Sequence, residues 1–232
     1  MTQVTLPTPL YVILDRGPAG GRDRGPAGGR DRGPAGGRDL ATLLDAVLEG
    51  GCRLVQLREK TMPLNELYPV ARALRRRCRQ AACLFIVNNR VDLALALEAD
   101  GVHVGQDDLP ARETRRLLRP GMILGVSTHD EGQARRARDD GADYVAVGSM
   151  YPTGSKPVFR LVGPELIRRV RPEIPVPLVA IGGITVDNVA DVIRAGADAV
   201  AVISAVCAAP DPAVAARRFL ETIRAAGEGH AR

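Results

Sequence analysis

The sequence contains no tryptophan, and aromatic residues make up only 3% of its 232 residues. A core without large aromatic rings rests on valine, leucine, isoleucine and alanine, which is the mixture that buried parallel strands use. The scarcity of aromatic residues also argues against a nucleic-acid interface, because no basic stretch is interleaved with aromatic side chains. The composition therefore favours a globular α/β domain without a nucleic-acid partner.

Metal-binding cysteine pairs and long apolar runs are also missing. The four cysteines show no CxxC spacing, so they are expected to be small core or surface residues in a reducing compartment. No apolar run approaches the ~18 residues of a membrane-spanning helix, and the first ten residues lack the charged and apolar regions of a secretory signal. We therefore expect a cytoplasmic protein without a membrane partner, and the sequence leaves homo-oligomerisation open.

Much of the formal net charge of +5 comes from one repeated segment. The octapeptide RGPAGGRD occurs three times in tandem from Arg16 to Asp39, and each copy carries two arginines and one aspartate. Its glycine and proline content predicts a flexible insertion. We place this insertion at about residues 16–38, in the first strand-to-helix loop of a single domain that spans residues 1–232. An arginine-rich flap that attracts anionic substrates is the alternative.

Apolar segments of strand length alternate along the chain with segments in which apolar residues recur every three to four positions. The segments of strand length are Leu10–Leu14, Leu54–Leu57, Leu84–Val87, Val102–Val104, Met122–Val126, Tyr144–Val147, Pro177–Ile181 and Ala199–Ile203. Eight strand and helix units in a chain of this length predict a closed (β/α)8 barrel, the TIM-barrel fold. Active sites of this fold lie where the strands end, so the polar residues that follow the strands are the candidate site residues.

Only two of the 32 basic residues are lysines, and each follows a predicted strand. An ammonium group is a compact point charge that suits phosphate, whereas a guanidinium group favours planar pairing. Lys60 ends the segment QLREK, in which strand alternation points Gln56, Arg58 and Lys60 to one side. Lys156 lies in the segment YPTGSKP after the sixth strand. The two lysines therefore predict a phosphate-binding site.

Adjacent carboxylates, Asp107 and Asp108, follow the fourth predicted strand. They could hold a hard cation such as Mg²⁺ beside a substrate phosphate, although one of them could instead cap the helix that begins near Ala111. His129 could act as an acid or base, but a lone histidine at the start of a loop is more often structural. His103, inside the fourth strand, is expected to pack within the barrel.

The polar residues after the strands divide into two predicted anion sites. The cationic, metal-assisted site consists of Arg58, Lys60, Asp108 and Lys156. The neutral, amide-rich site consists of Thr153, Ser155, Gly183 and Ser204. The neutral site includes the turns after the seventh and eighth strands, where phosphate commonly docks in this fold. This layout fits a reaction that joins a diphosphate substrate to a monophosphate substrate.

Six motifs follow one another along the chain: QLREK, GVHVGQDDLP, ILGVSTH, YPTGSKP, AIGGI and AVISAV. In this order they resemble the thiamine-phosphate synthase family, and the likeness extends from about Leu10 to Ala225, apart from the surplus octapeptides. The resemblance implies a (β/α)8 transferase that couples hydroxymethylpyrimidine diphosphate to hydroxyethylthiazole phosphate and releases pyrophosphate, with Mg²⁺ as cofactor. The implied reaction is dissociative and requires no protein nucleophile.

The resemblance also implies roles for individual residues. The residues implied to contact the pyrimidine diphosphate are Gln56, Leu57, Arg58, Glu59, Lys60, Asn88, Ser127 and Lys156. The residues implied to hold the thiazole phosphate are Thr153, Gly154, Ser155, Gly183, Ile203 and Ser204. Asp108 is implied to ligate Mg²⁺. Catalysis would consist of stabilising the leaving group and aligning two substrates, and the residues expected to do so are Arg58, Lys60, Ser127 and Lys156.

The chain departs from the family pattern at Asn89, where the family usually has the aspartate that is the second Mg²⁺ ligand. Asn89 offers a carbonyl oxygen without a charge, so metal binding should weaken. We hypothesise a working enzyme that needs more Mg²⁺, and the alternatives are an impaired enzyme or a relative with different chemistry. Ser155 replaces the usual threonine and keeps the hydroxyl.

Three other functions compete with this interpretation. A thiazole tautomerase-like relative shares the barrel, but its members carry histidine where this chain has Ser149, and they lack the GQDD carboxylates. A non-catalytic binding protein for thiamine precursors would account for Asn89. A phosphosugar isomerase or epimerase would need an acid/base pair at the barrel mouth, where His129 has no convincing partner.

Overall fold

Eight parallel strands close into a barrel in the computed structural model, which describes residues 5–15, 38–153 and 160–228. The strands are β1 (Leu10–Asp15), β2 (Leu54–Arg58), β3 (Leu84–Asn88), β4 (Gly101–Val104), β5 (Ile123–Thr128), β6 (Tyr144–Gly148), β7 (Leu178–Ile181) and β8 (Ala199–Val202). Each strand pairs with the next, and β8 pairs with β1. The predicted single-domain (β/α)8 barrel is confirmed. The predicted insertion at residues 16–38 lies almost wholly outside the described residues and stays a prediction.

Helices connect the strands and surround the barrel. They are α1 (Leu40–Glu49), α2 (Leu64–Gln80), α3 (Val91–Ala96), α4 (Ala111–Leu117), α5 (Glu131–Asp139), α6 (Pro164–Val170), α7 (Val189–Arg194), α8 (Ser204–Cys207) and α9 (Pro212–Glu228). Asp39 is the N-cap of helix α1, and its side chain accepts hydrogen bonds from the amides of Ala41 and Thr42 at 2.9 and 3.1 Å. The last octapeptide therefore ends in the residue that caps α1. In the described part of the chain, no helix combines the length and the apolar character needed to cross a bilayer.

Strand alternation divides the buried residues into two layers. In β1, Leu10 and Val12 pack in the outer layer between strands and helices, whereas Tyr11 and Ile13 pack inside the barrel. The inner layer also contains Tyr144, whose ring meets that of Tyr11 edge to face at a centroid distance of 5.9 Å. The barrel interior is therefore a packed core that contains two phenol groups.

Gly125 makes room for one of these tyrosines. A Cβ atom at Gly125 in β5 would lie 2.0 Å from the ring of Tyr144, the residue paired with it on β6. Carbon atoms in a close-packed interior do not approach to that distance. The glycine of the motif ILGVSTH thus allows the Tyr144 ring to lie across β5, inside the barrel.

The four cysteines are free, buried thiols, so of the two expected places, core or surface, they lie in the core. Burial raises the pKa of Cys52 and of Cys207 to about 12. Both thiols therefore stay protonated at neutral pH, and a protonated thiol is a poor nucleophile.

Candidate active site

Two cavities adjoin at the end of the barrel where the strands finish. The first, here called the cationic cavity, has a volume of about 460 Å³. Its lining residues are Arg58, Lys60, Asn88, His103, Gly105, Gln106, Asp107, Asp108, Ser127, His129 and Gln133. The second, here called the neutral cavity, has a volume of about 360 Å³. Its lining includes Ser127, His129, Ser149, Thr153, Gly183, Thr185, Ile203 and Ser204.

Ser127 and His129 belong to both linings, so they form the boundary between the cavities. Ser127 lies in β5, and His129 follows that strand directly. His129 donates its Nδ1 proton to the carbonyl oxygen of Gly148 at 2.6 Å, and its backbone amide donates to Gln133 Oε1 at 2.8 Å. These bonds tie His129 to β6 and α5, which fixes the boundary in place. Two substrates bound in the two cavities would be neighbours here.

The positive charge of the cationic cavity comes from β2 and the turn after it. Arg58 forms an ion pair with Asp15, the residue paired with it on β1. The side chain of Asp15 is only 4% exposed, against 20% for Arg58, so this carboxylate is held beneath the guanidinium group. Lys60 is exposed and lines the same cavity. Sequence reasoning missed Asp15, although its position at the end of β1, on the face of Tyr11 and Ile13, was a usable signal.

The other residues of QLREK have different surroundings. Gln56 lies inside the barrel and donates a hydrogen bond to the Tyr11 hydroxyl at 2.6 Å. Leu57 is buried in the outer layer. Glu59 accepts hydrogen bonds from the amide and hydroxyl of Thr61, at 2.8 and 2.9 Å, so it organises the turn after β2. Burial tends to raise the pKa of Glu59, but these hydrogen bonds hold it below its usual value.

Asp108 is held by two hydrogen bonds and does not cap α4. Its Oδ2 accepts from the amide of Gly105 at 2.8 Å, and its Oδ1 accepts from Nδ2 of Asn89 at 3.2 Å. Helix α4 begins after Pro110, which supplies no side-chain cap. The predicted alternative, in which Asp107 or Asp108 caps this helix, is therefore wrong. The Asp108 carboxylate instead joins the loop after β4 to the end of β3.

The residues around Asp108 suit a weakly held magnesium ion. The described residues contain no group of three or more histidine, cysteine or acidic side chains arranged around one metal position. Mg²⁺ does not need such a group, because it usually keeps several waters and binds one or two protein oxygens together with substrate phosphate. Each Asp108 oxygen retains a lone pair beside its hydrogen bond, and rotation of the Asn89 amide would present its oxygen. The donor set therefore fits the ion, but with one charge instead of two.

The neutral cavity depends on backbone shape more than on charge. Gly183 has a φ of +65°, and a Cβ atom there would lie 2.4 Å from the carbonyl oxygen of Pro152. Only glycine allows the turn after β7 to contact the turn after β6 in this way. Ile203 and Ser204 line the same cavity at the start of α8. A short extra helix after the eighth strand is a common phosphate site in this fold.

Not every predicted site residue can be placed. Gly154, Ser155 and Lys156 lie outside the described residues, so their predicted contacts stay predictions. Thr153, the last described residue before them, lines the neutral cavity. Asn88 lines the cationic cavity at the end of β3.

A chain of hydrogen bonds runs through the barrel interior beneath both cavities. The Tyr11 and Tyr144 hydroxyls are 3.0 Å apart, and the Tyr144 hydroxyl is 2.9 Å from Nδ1 of His103. Nε2 of His103 is in turn 2.8 Å from the Ser127 hydroxyl. His103 packs within the barrel as expected, but its link to Ser127 was missed, because residues 24 positions apart give no local signal.

Comparison with known proteins agrees with the motifs. The profile of the thiamine monophosphate synthase family matches residues 30–206. The chain belongs to this family. It is 52% identical over 188 residues to the thiamine-phosphate synthase of Moorella thermoacetica, an alignment that covers 80% of this chain and 90% of that one. The family resemblance predicted from the sequence is thereby confirmed, as is the assignment to the transferases.

Two further relatives extend the comparison. The thiamine biosynthesis bifunctional protein ThiM/ThiE of Symbiobacterium thermophilum is 50% identical over 185 residues, or 79% of this chain, which spans only 38% of that longer protein. The solved structure of the thiamine phosphate pyrophosphorylase from Pyrococcus furiosus superposes with a TM-score of 0.78 at 34% identity, covering 94% of this chain and 96% of that one. Sequence and fold therefore identify the same family.

Proposed function

We propose that the chain condenses hydroxymethylpyrimidine diphosphate with hydroxyethylthiazole phosphate to give thiamine phosphate and pyrophosphate. The observation that carries this proposal is the pair of adjoining cavities that share Ser127 and His129. The cationic cavity suits a diphosphate, because Arg58 and Lys60 supply positive charge. The neutral cavity suits a monophosphate ester, because it is lined by hydroxyls and by the turns after β7 and β8. The thiamine-phosphate synthase of Moorella thermoacetica and the thiamine phosphate pyrophosphorylase of Pyrococcus furiosus, both similar to this chain, support the same reaction.

The reaction requires charge stabilisation and alignment. The bond between the pyrimidine methylene carbon and the pyrophosphate oxygen breaks, and its electron pair leaves with pyrophosphate. The aminopyrimidine ring stabilises the resulting cation, and the thiazole nitrogen supplies the electron pair of the new carbon–nitrogen bond. Arg58 and Lys60 neutralise the leaving group, with Lys156 proposed as a third cation. Ser127 lies at the cavity boundary, where the two reacting groups would meet.

Mg²⁺ is the proposed cofactor, and Asp108 and Asn89 are the residues that would hold it. When bound, the ion supplies positive charge to the diphosphate. The neutral amide of Asn89 lowers the negative charge of the site relative to a pair of carboxylates. We therefore propose an active enzyme with a raised requirement for Mg²⁺.

The test is pyrophosphate release by the purified protein over a titration of Mg²⁺, with both substrates present. Controls omit one substrate at a time, because only the condensation requires both. Release that depends on both substrates and on Mg²⁺ is the expected result. Isomerisation of the thiazole phosphate without pyrophosphate release would instead identify a tautomerase. Binding of both substrates without turnover would identify a binding protein.

The described geometry favours the condensation over the isomerase alternative. Of the two described histidines near the cavities, His103 uses both ring nitrogens, toward Tyr144 and Ser127, whereas His129 donates from Nδ1 to Gly148, so only Nε2 of His129 is left for a substrate. An isomerase would need two groups free to exchange protons with one substrate. Ser149 lines the neutral cavity where the tautomerase-like relatives are expected to have a histidine.

A further inference from the structure

The hydrogen-bond chain in the barrel has a direction that follows from its first member. The Gln56 amide nitrogen can only donate, so the Tyr11 hydroxyl oxygen accepts. Tyr11 then has one proton, and the Tyr144 oxygen lies 3.0 Å away to receive it. Tyr144 in turn has one proton to give, and Nδ1 of His103 is 2.9 Å away. With the Gln56 nitrogen donating to Tyr11, the reverse order leaves the Tyr11 proton without a partner in this chain, which is costly in a dry interior.

The same direction fixes the state of the histidine. If Nδ1 of His103 accepts from Tyr144, the single proton of a neutral imidazole lies on Nε2. Nε2 is 2.8 Å from the Ser127 oxygen, which therefore accepts. The proton of the Ser127 hydroxyl is not used in this contact, and Ser127 lines both cavities. The Ser127 hydroxyl can therefore donate a hydrogen bond to a bound molecule.

The members of this chain are buried. Tyr11, Tyr144 and Gln56 are at most 2% exposed, and His103 is 7% exposed. Burial raises the pKa of both phenols far above the usual value, so each retains the proton that the chain requires. Gln56 and Ser127 stand at opposite ends of the chain, on β2 and β5.

We propose that Gln56, Tyr11, Tyr144 and His103 form a directional hydrogen-bond chain that makes Ser127 a hydrogen-bond donor to an anionic oxygen of the diphosphate substrate. His103, Tyr144 and Tyr11 are then positioning residues that act through Ser127. The identity of the acceptor rests on the proposed function, whereas the direction of the chain does not.

The first test is the tautomer of His103, observed by nitrogen-15 NMR on protein labelled at histidine and assigned with His103→Gln. The expected wild-type state is a neutral ring with its proton on Nε2, and Tyr144→Phe is expected to change that state. A ring protonated on Nδ1 or on both nitrogens would overturn the proposal. This result does not depend on turnover, so it separates failure of the chain from failure of the proposed function.

The second test is a double-mutant cycle measured by pyrophosphate release. Ser127→Ala and Tyr144→Phe should each lower kcat about tenfold, and the double variant should lose no more than Ser127→Ala alone, because both changes remove the same donor. Losses that multiply would show that Tyr144 does not act through Ser127. Tyr68→Phe, at an exposed tyrosine of α2, is the control for the change itself.

A third comparison uses variants of His103, so that the proposal can still be tested if Tyr144→Phe fails to fold. A glutamine at position 103 can still donate from the position of Nε2, whereas a leucine cannot. We therefore expect His103→Gln to retain several times more activity than His103→Leu, at equal thermal midpoints. Equal activity in these two variants would contradict a positioning role for His103.

Discussion

The cationic and neutral cavities adjoin at Ser127 and His129, but they are built in different ways. The cationic cavity, at the ends of β2 to β5, obtains its character from charged side chains such as Arg58 and Lys60. The neutral cavity, between β6 and β8, obtains its character from backbone turns that a side chain at Gly183 would obstruct. A charge can be removed without changing shape, whereas a turn cannot be filled without moving its neighbour. Substitutions in the two cavities should therefore fail in different ways.

The largest effect is expected from loss of a charge in the cationic cavity. Lys60→Ala should lower kcat about a hundredfold, because a preorganised cation facing the leaving group is lost. Lys60 is exposed, so the thermal midpoint should stay unchanged. Initial rates of pyrophosphate release measure the loss, and Arg76→Ala, an exposed cation of α2, is the control. Near-normal turnover of Lys60→Ala would remove Lys60 from the mechanism.

A side chain at position 183, in the turn that lines the neutral cavity, should weaken binding of the thiazole phosphate. In Gly183→Ala, the new methyl group displaces the carbonyl of Pro152, so KM for the thiazole phosphate should rise on the order of tenfold or more. Affinity for the pyrimidine diphosphate should change little. Gly121→Ala is the matched control, because Gly121 also has a positive φ, of +87°, but no atom lies within 4 Å of its Cβ position. We expect both glycine variants to lose stability, because each places alanine at a positive φ. An equal rise in the KM values for the thiazole phosphate and the pyrimidine diphosphate in Gly183→Ala would show that the two cavities are not separate.

A smaller effect should follow from the buried partner of Arg58. Asp15→Asn keeps the shape but removes the charge that orients the guanidinium, so kcat should fall about tenfold. The free energy of unfolding should fall by about 1–3 kcal/mol, because a hydrogen-bonded charge pair is broken at a nearly buried site. Denaturant titration and pyrophosphate release measure the two effects. Asp45→Asn, in the half-exposed pair with Arg77, should change neither. An unaltered Asp15→Asn variant would show that Arg58 needs no partner.

The smallest effect is expected at Asn89, where a substitution should strengthen Mg²⁺ binding. Asn89→Asp adds a second carboxylate beside Asp108, so the Mg²⁺ concentration at half-maximal rate should fall severalfold. Without metal, the two carboxylates repel each other, so the thermal midpoint in a chelator should drop and should recover with Mg²⁺. Asn65→Asp, on the exposed face of α2, adds the same charge elsewhere. If Asn89→Asp changes neither the Mg²⁺ titration nor the thermal midpoint, position 89 does not contribute to metal binding.

The two cavities also differ in how well the sequence predicted them. All eight strands were predicted, because buried parallel strands are short apolar runs separated by helical periodicity. Arg58 and Lys60 were identified because charges after a strand are conspicuous. The single-turn helix α8 was not predicted, since four residues cannot display a helical period. Asp15 and the contact between Gly183 and Pro152 were missed for a different reason: each depends on which strands are neighbours in space.

A side chain at position 125 would need the volume that the Tyr144 ring fills, so position 125 cannot gain a side chain while the tyrosine ring stays in place. A lineage that acquired a methyl group at 125 would first have to shrink the residue at 144, and would then lose the phenol that faces His103. Among natural relatives, a side chain at position 125 should therefore occur only together with a residue smaller than tyrosine at position 144. A survey of homologous sequences could find this pairing without any enzyme being purified.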